Sequence, residues 1–224
     1  MKTKLSRYCE GILEATWLAA VIITPLFFNI YSSRIFEPDK AVILRSIALV
    51  SLGAMLIKAI EEGGIHFGAL KRNKSWIRTL WELPMIVPVI GLVAIYFIST
   101  IFSISPGISL WGSYQRLQGT YTTYSYLIIF MAIGTNMRNR SQVERLITAT
   151  IITSFSVAFY GVLQHYGIDP IPWAGNTTTR IAANMGNSIF VASYLIMIVP
   201  LTVGRMVMTF RKLLNSEINH QIII

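Results

Sequence analysis

Six stretches of the chain are almost uninterruptedly apolar: residues 13–30, 41–60, 83–102, 121–137, 146–164 and 189–208. Each is long enough, as an α-helix rising about 1.5 Å per residue, to cross a hydrocarbon core of about 30 Å. Lipid offers the backbone no hydrogen-bond partner, so a spanning segment must satisfy its N–H and C=O groups as a helix or in a closed barrel. Barrel strands alternate apolar and polar residues over about ten positions, and none of the six runs does so. The pattern predicts an all-α, polytopic integral membrane protein with about six transmembrane helices. The transmembrane domain is expected over residues 1–210, as the front half of a longer architecture, with a cytoplasmic tail or truncation over 211–224.

Composition sharpens this picture. Of the 224 residues 54% are hydrophobic and 13% charged, against about 25% charged in soluble domains. That balance excludes a soluble enzyme, a disordered chain and a secreted disulfide scaffold. Cys9 is the single cysteine, so neither an internal disulfide nor a thiolate metal cluster can form. Lys2, Lys4 and Arg7 precede the first apolar run. That run is too long for a signal-peptide core and no small-residue cleavage site follows it, so it reads as a retained first span.

The net charge is +9, and its placement explains it. With the N-terminus in the cytoplasm and the spans alternating, 14 of the 19 basic residues fall on the inner side. They include Lys58, Lys71, Arg72, Lys74, Arg78, Arg138, Arg140, Arg145, Arg205, Arg211 and Lys212. The five on the outer side are Arg34, Lys40, Arg45, Arg116 and Arg180. Such a bias orients membrane proteins and attracts anionic lipid heads. Membrane lipids are therefore the expected partners of the basic face, and nucleic acid is not.

Three loops stand out. Residues 61–82 combine Gly63-Gly64, a basic cluster, Trp76 and Trp81, a composition suited to the inner interface. Residues 103–120 are rich in Gly, Ser and aromatics, with a turn signal at Pro106-Gly107. Residues 165–188 form the longest outer loop, and a long polar loop with little apolar reason to order points to function.

The chemistry available outside the membrane is narrow. His66, His165 and His220 lie at sites that cannot converge without crossing the bilayer, so no multi-histidine zinc site is expected. His165 alone could serve as a base or sit as an interfacial imidazole. Glu37, Asp39 and Asp169 are the outer carboxylates, either general bases or solvated, cation-paired loop acids.

The outer arginines say more, because the charge bias disfavours them there. Arg116 closes the run Trp111-Gly-Ser-Tyr-Gln-Arg, just before the fourth span, and Arg180 precedes the sixth. A guanidinium matches phosphate oxygens two at a time. Asn187 or Ser188 is placed to cap the sixth helix, whose N-terminus would add free amides and a positive dipole end. Two arginines and that helix end suit a pyrophosphate; the competing reading is snorkelling to head groups. Arg45 lies about four residues into the second span, where it either snorkels or lines a pathway as a third phosphate ligand. Trp111, Tyr114, Tyr121, Tyr124, Tyr126, Tyr166 and Trp173 gather on the outer side. The tyrosines nearest the spans suit an aromatic belt; Trp111 and Trp173, further into their loops, are the better faces for sugar stacking.

Three of these stretches together resemble the O-antigen ligase and polymerase superfamily. FEPDKAVILR at 36–45 is similar to the start of that family's second span. WGSYQRLQG at 111–119 resembles its loop before the fourth span, and GNSIFVASYLIMIVPL at 186–201 its Gly-Asn-Pro-type helix opening. The resemblance implies a GT-C-like glycosyltransferase of the bacterial inner membrane, working at its outer face. Such enzymes move a glycan from undecaprenyl pyrophosphate to an acceptor glycolipid, glycan or protein, with no metal, nucleotide or other cofactor. It further implies Arg116 and Arg180, and secondarily Arg45, as pyrophosphate ligands, and Asn187 joins the substrate-binding set through the helix start it caps. Family members carry about ten to twelve spans and a catalytic histidine in their second half. This chain has no matching histidine and has Ser188 in place of the proline. The resemblance thus implies a donor-binding half that relies on a second polypeptide or a C-terminal half for catalysis. A lipid-linked sugar transporter or flippase and a non-catalytic membrane subunit are the alternatives; the first would want charged or polar groups in mid-span, and the spans are nearly bare of them apart from Thr and Ser.

Overall fold

The structure, a computed structural model, describes residues 3–32, 36–64, 85–169, 171 and 176–222. The described residues are helical, with no strand among them. In chain order the helices are α1 (Lys4–Leu26), α2 (Glu37–Glu62), α3 (Ile86–Ile101), α4 (Pro106–Trp111), α5 (Thr120–Asn136), α6 (Arg140–His165) and α7 (Ser188–Ile222). A 3-10 turn at Ala183–Met185 precedes α7. Contacts divide the chain into a unit up to Arg145 and a unit from Leu146 onward.

Each of the six predicted segments falls on a helix, but the membrane arithmetic separates them. Four helices (α1, α2, α6 and α7) are long and apolar enough to cross a membrane. The other two, α3 with 16 residues and α5 with 17, rise only about 24–26 Å at 1.5 Å per residue. The expected interfacial loop with Trp76 and Trp81, together with Arg34 and Trp173, lies outside the described residues.

Boundaries moved for identifiable reasons. The first span was expected to begin at residue 13, but α1 starts at Lys4 because Thr3 caps it, its hydroxyl accepting from the Ser6 amide at 3.1 Å. The Pro106-Gly107 pair was expected to mark a turn. It opens α4 instead, proline taking the first helical position, where its missing N–H costs nothing. The helical backbone of α7 continues through the segment expected to be a tail.

The first unit is organised around α1, α2 and α5. Their buried residues recur at three- and four-residue spacing: Ser6, Cys9, Leu13, Thr16, Trp17 and Ala20 on α1, and Ala41, Leu44, Arg45, Ala48, Ser51, Ala54 and Lys58 on α2. On α5 the buried set runs from Thr120 through Ser125, Ile129 and Ala132 to Asn136. Small residues dominate these faces, so the backbones approach closely, the usual way for helices to pack where lipid removes any hydrophobic drive. Ser6 bonds Glu62 and Lys58 bonds Glu10, which fixes α1 and α2 as antiparallel neighbours in one register. On the far side α3 attaches to α5 through Thr100–Thr120 and through the Tyr124 hydroxyl, which donates to the Val93 carbonyl at 2.9 Å.

Candidate functional site

At one end of the first unit, the start of α2, the α4 helix and the start of α5 meet around a short closed loop, residues 112–119. The loop turns on Ser113, whose carbonyl accepts from the Arg116 and Leu117 amides at 3.1 and 2.8 Å. Leu117 sits at φ +53° and Gly112 at φ +88°. Gly112 and Gly119 bring their backbones so close that a Cβ on either would lie 2.4 Å from the other strand of the loop. Only glycine fits both positions.

Arg45 fills the centre of this loop. Its side chain enters from α2 and the residue is 7% exposed. Nε donates to the Thr122 hydroxyl at 2.9 Å, and Nη2 donates to the Trp111 and Leu117 carbonyls at 2.7 and 2.6 Å. The guanidinium carbon lies 4.8 Å from the centre of the Tyr121 ring. Tyr121 in turn meets Trp111 edge to face, ring centres 5.5 Å apart. Arg45 was expected either to snorkel or to stand open as a phosphate ligand. The structure turns it inward and spends three of its donors on the protein.

Arg116 has the opposite placement. Its side chain is 64% exposed, and among the described residues its close carboxylate is Glu37 on the first turn of α2, with Nε–Oε2 3.4 Å. Tyr114 is exposed beside it in the loop, and so is Trp111. The two other expected carboxylate candidates serve structure: Asp39 accepts from the Asn29 amide at 2.9 Å, and Asp169 anchors the loop of the second unit.

In the second unit, Gln164 is fully buried near the end of α6. Its carbonyl oxygen accepts from the Ala182 and Ala183 amides at 3.1 and 2.7 Å, and its amide donates to Asp169 at 3.0 Å. The Tyr160 hydroxyl and the Ile171 amide donate to the same carboxylate. His165 meets the Thr178 carbonyl through Nδ1 at 2.7 Å; a carbonyl only accepts, so Nδ1 carries the proton and Nε2 is left as the basic nitrogen. The expected cap of α7 is Asn187, whose side-chain oxygen accepts from the Ile189 amide at 3.0 Å. Arg180 reaches that same helix opening, donating to the Ser188 hydroxyl at 3.1 Å from an exposed position. Arg180 and the capped start of α7 thus lie together within this unit.

A third polar group was not anticipated. At the opposite end of the first unit Lys58 is 5% exposed, and its ammonium donates to Glu10 at 2.8 Å and to Asn136 at 2.7 Å. Glu14 accepts from Gln142 at 3.0 Å and from Arg145 at 2.6 Å nearby. The signal was in the sequence: Glu10 and Glu14 are one turn apart on a helix whose packed face is otherwise uncharged. The cleft beside Lys58, lined by Met55, Glu62, Thr135 and Arg138 among others, has a volume of about 20 Å³. That holds a water molecule, not a substrate. Among the described residues no group of three or more His, Cys, Asp or Glu side chains is placed to hold a metal ion.

Comparison of the chain with protein-family models, with curated proteins and with solved structures found no match.

Proposed function

We propose that this chain binds a glycan carried on undecaprenyl pyrophosphate, as the donor-binding part of an O-antigen ligase- or polymerase-like glycosyltransferase at the outer face of the bacterial inner membrane. The observation that carries the reading is Arg116. An exposed guanidinium held out by an ordered loop at a helix opening, with an exposed Trp111 at the start of the same loop, suits a diphosphate and its first sugar. Within the second unit, Arg180 beside the capped start of α7 is proposed by itself as a phosphate ligand. Transfer of the glycan leaves charge on the departing pyrophosphate, and fixed guanidinium groups lower the barrier by stabilising that charge where it develops. In this reading α1, α2, α3, α5, α6 and α7 all cross the membrane with the N-terminus in the cytoplasm, and the acceptor site and catalytic base come from another polypeptide segment.

The test is photolabelling in membranes with a light-activated analogue of the pyrophosphate-linked glycan. Labelled peptides are expected from residues 103–120 and 176–188, and label is lost in Arg116→Ala and Arg180→Ala. Labelling confined to other segments contradicts the assignment. Movement of the lipid-linked sugar across vesicles that contain no acceptor would favour the transporter instead.

A further inference from the structure

The closed loop at residues 112–119 has one buried charge at its centre, and that charge points away from solvent. We propose that Arg45 is the positioning residue of this site: it ties the loop shut so that Arg116 faces the diphosphate and Trp111 faces the sugar, while touching neither ligand itself. The inference rests on the donor-binding reading above for its ligand, and on geometry alone for the loop.

Four contacts carry it. The Trp111 and Leu117 carbonyls lie at the two ends of the turn, six residues apart in sequence, and a single nitrogen of Arg45 binds both. Leu117 holds a left-handed backbone, φ +53°, which a branched apolar residue adopts only when its surroundings impose it. Thr122 completes the grip, receiving Arg45 Nε and donating its own hydroxyl to the Leu117 carbonyl at 2.6 Å. The face of Tyr121 under the guanidinium then fixes the edge of Trp111. The described partners of Arg45 are thus two carbonyls, a hydroxyl and a ring, an arrangement that needs the planar fork of arginine rather than a point charge. A lysine keeps the charge and loses the fork, which separates positioning from direct attraction of phosphate.

The experiment uses the chain in lipid nanodiscs, on a Cys9→Ser background, with a nitroxide at Ser113→Cys to report loop motion. Bare undecaprenyl pyrophosphate, which has no sugar for Trp111, is the binding probe. Arg45→Lys is expected to make the nitroxide mobile and to weaken binding about tenfold, the equivalent of about one lost charge-assisted hydrogen bond. Thr122→Val, which alters no charge, is expected to shift both readouts in the same direction and keeps the test open if Arg45→Lys fails to fold. Adding Arg45→Lys to Arg116→Ala is expected to cost nothing further, because the loop then has no ligand to position. The proposal is overturned if the nitroxide stays immobile in both variants, or if Arg45→Lys weakens binding by the same factor with and without Arg116. Should Arg116→Ala itself leave affinity unchanged, the donor reading fails, and the nitroxide alone decides whether Arg45 closes the loop.

Discussion

Arg45 and Arg116 share a side-chain type and lie at the same end of one helix unit, yet one is buried among carbonyls and the other is open to solvent. Their difference was not legible in the sequence, because depth along a span says nothing about which direction a long side chain takes. The capping of α7 by Asn187 was legible, since it depends on neighbours two residues away. Glu37 sets up a prediction. An exposed ion pair contributes only about 0–1 kcal/mol to stability, so Glu37→Gln is expected to leave folding unchanged. It removes the carboxylate that competes for Arg116, and affinity for a diphosphate lipid is expected to rise about twofold to fivefold, the equivalent of under 1 kcal/mol; weaker binding in a lipid titration would show that Glu37 orients Arg116 instead. Gln164 yields a second. Gln164→Leu strands two backbone amides that it now satisfies, each at about 1–3 kcal/mol. Trypsin is expected to cut after Arg180 far faster in that variant, and an unchanged rate would mean that the loop is held elsewhere.

Helices were legible as elements and their ends were not. Each apolar run lies on a helix, and four of those helices are long and apolar enough to cross a membrane, because that much needs only length and hydropathy. Polar residues carried α1 back to Lys4 and α7 on to Ile222, since a helix end is set by caps and packing rather than by hydropathy. What holds α1, α2 and α5 together at the end away from Arg116 is the Lys58–Glu10–Asn136 group. Removing one member of a buried pair leaves the other charge uncompensated, at about 3–5 kcal/mol when both are fully buried. Glu10 keeps a side-chain exposure of 23%, so Lys58→Met is expected to cost less, about 2–3 kcal/mol. Unfolding in SDS should report this loss, and the double variant Lys58→Met with Glu10→Leu should recover most of it. If the double variant is as unstable as the single one, the group matters through Asn136 and packing rather than through charge.

At the scale of the molecule, the four helices long and apolar enough to cross a membrane were readable from hydropathy alone, and the six-span topology with its charge-set orientation is a proposal that labelling tests. The two shorter helices, α3 and α5, are where that reading is most exposed. With Cys9→Ser as background, cysteines at Ser113 and Asn139 should label from opposite sides of the membrane with an impermeant maleimide, Ser113 from the outside. Labelling of both from one side would mean that α5 does not cross. The clustering of Arg45, Thr122 and Trp111 had no sequence signature, since their separation of 66–77 residues is bridged only by folding. Equilibrium binding of undecaprenyl pyrophosphate against undecaprenyl monophosphate to the chain in nanodiscs tests whether Arg116, and separately Arg180, recognises a diphosphate lipid. The account predicts tighter binding of the pyrophosphate, and a loss of about tenfold or more in each of Arg116→Ala and Arg180→Ala, the scale of one charge-assisted contact. Equal affinity for the two lipids, undiminished in both variants, would contradict it.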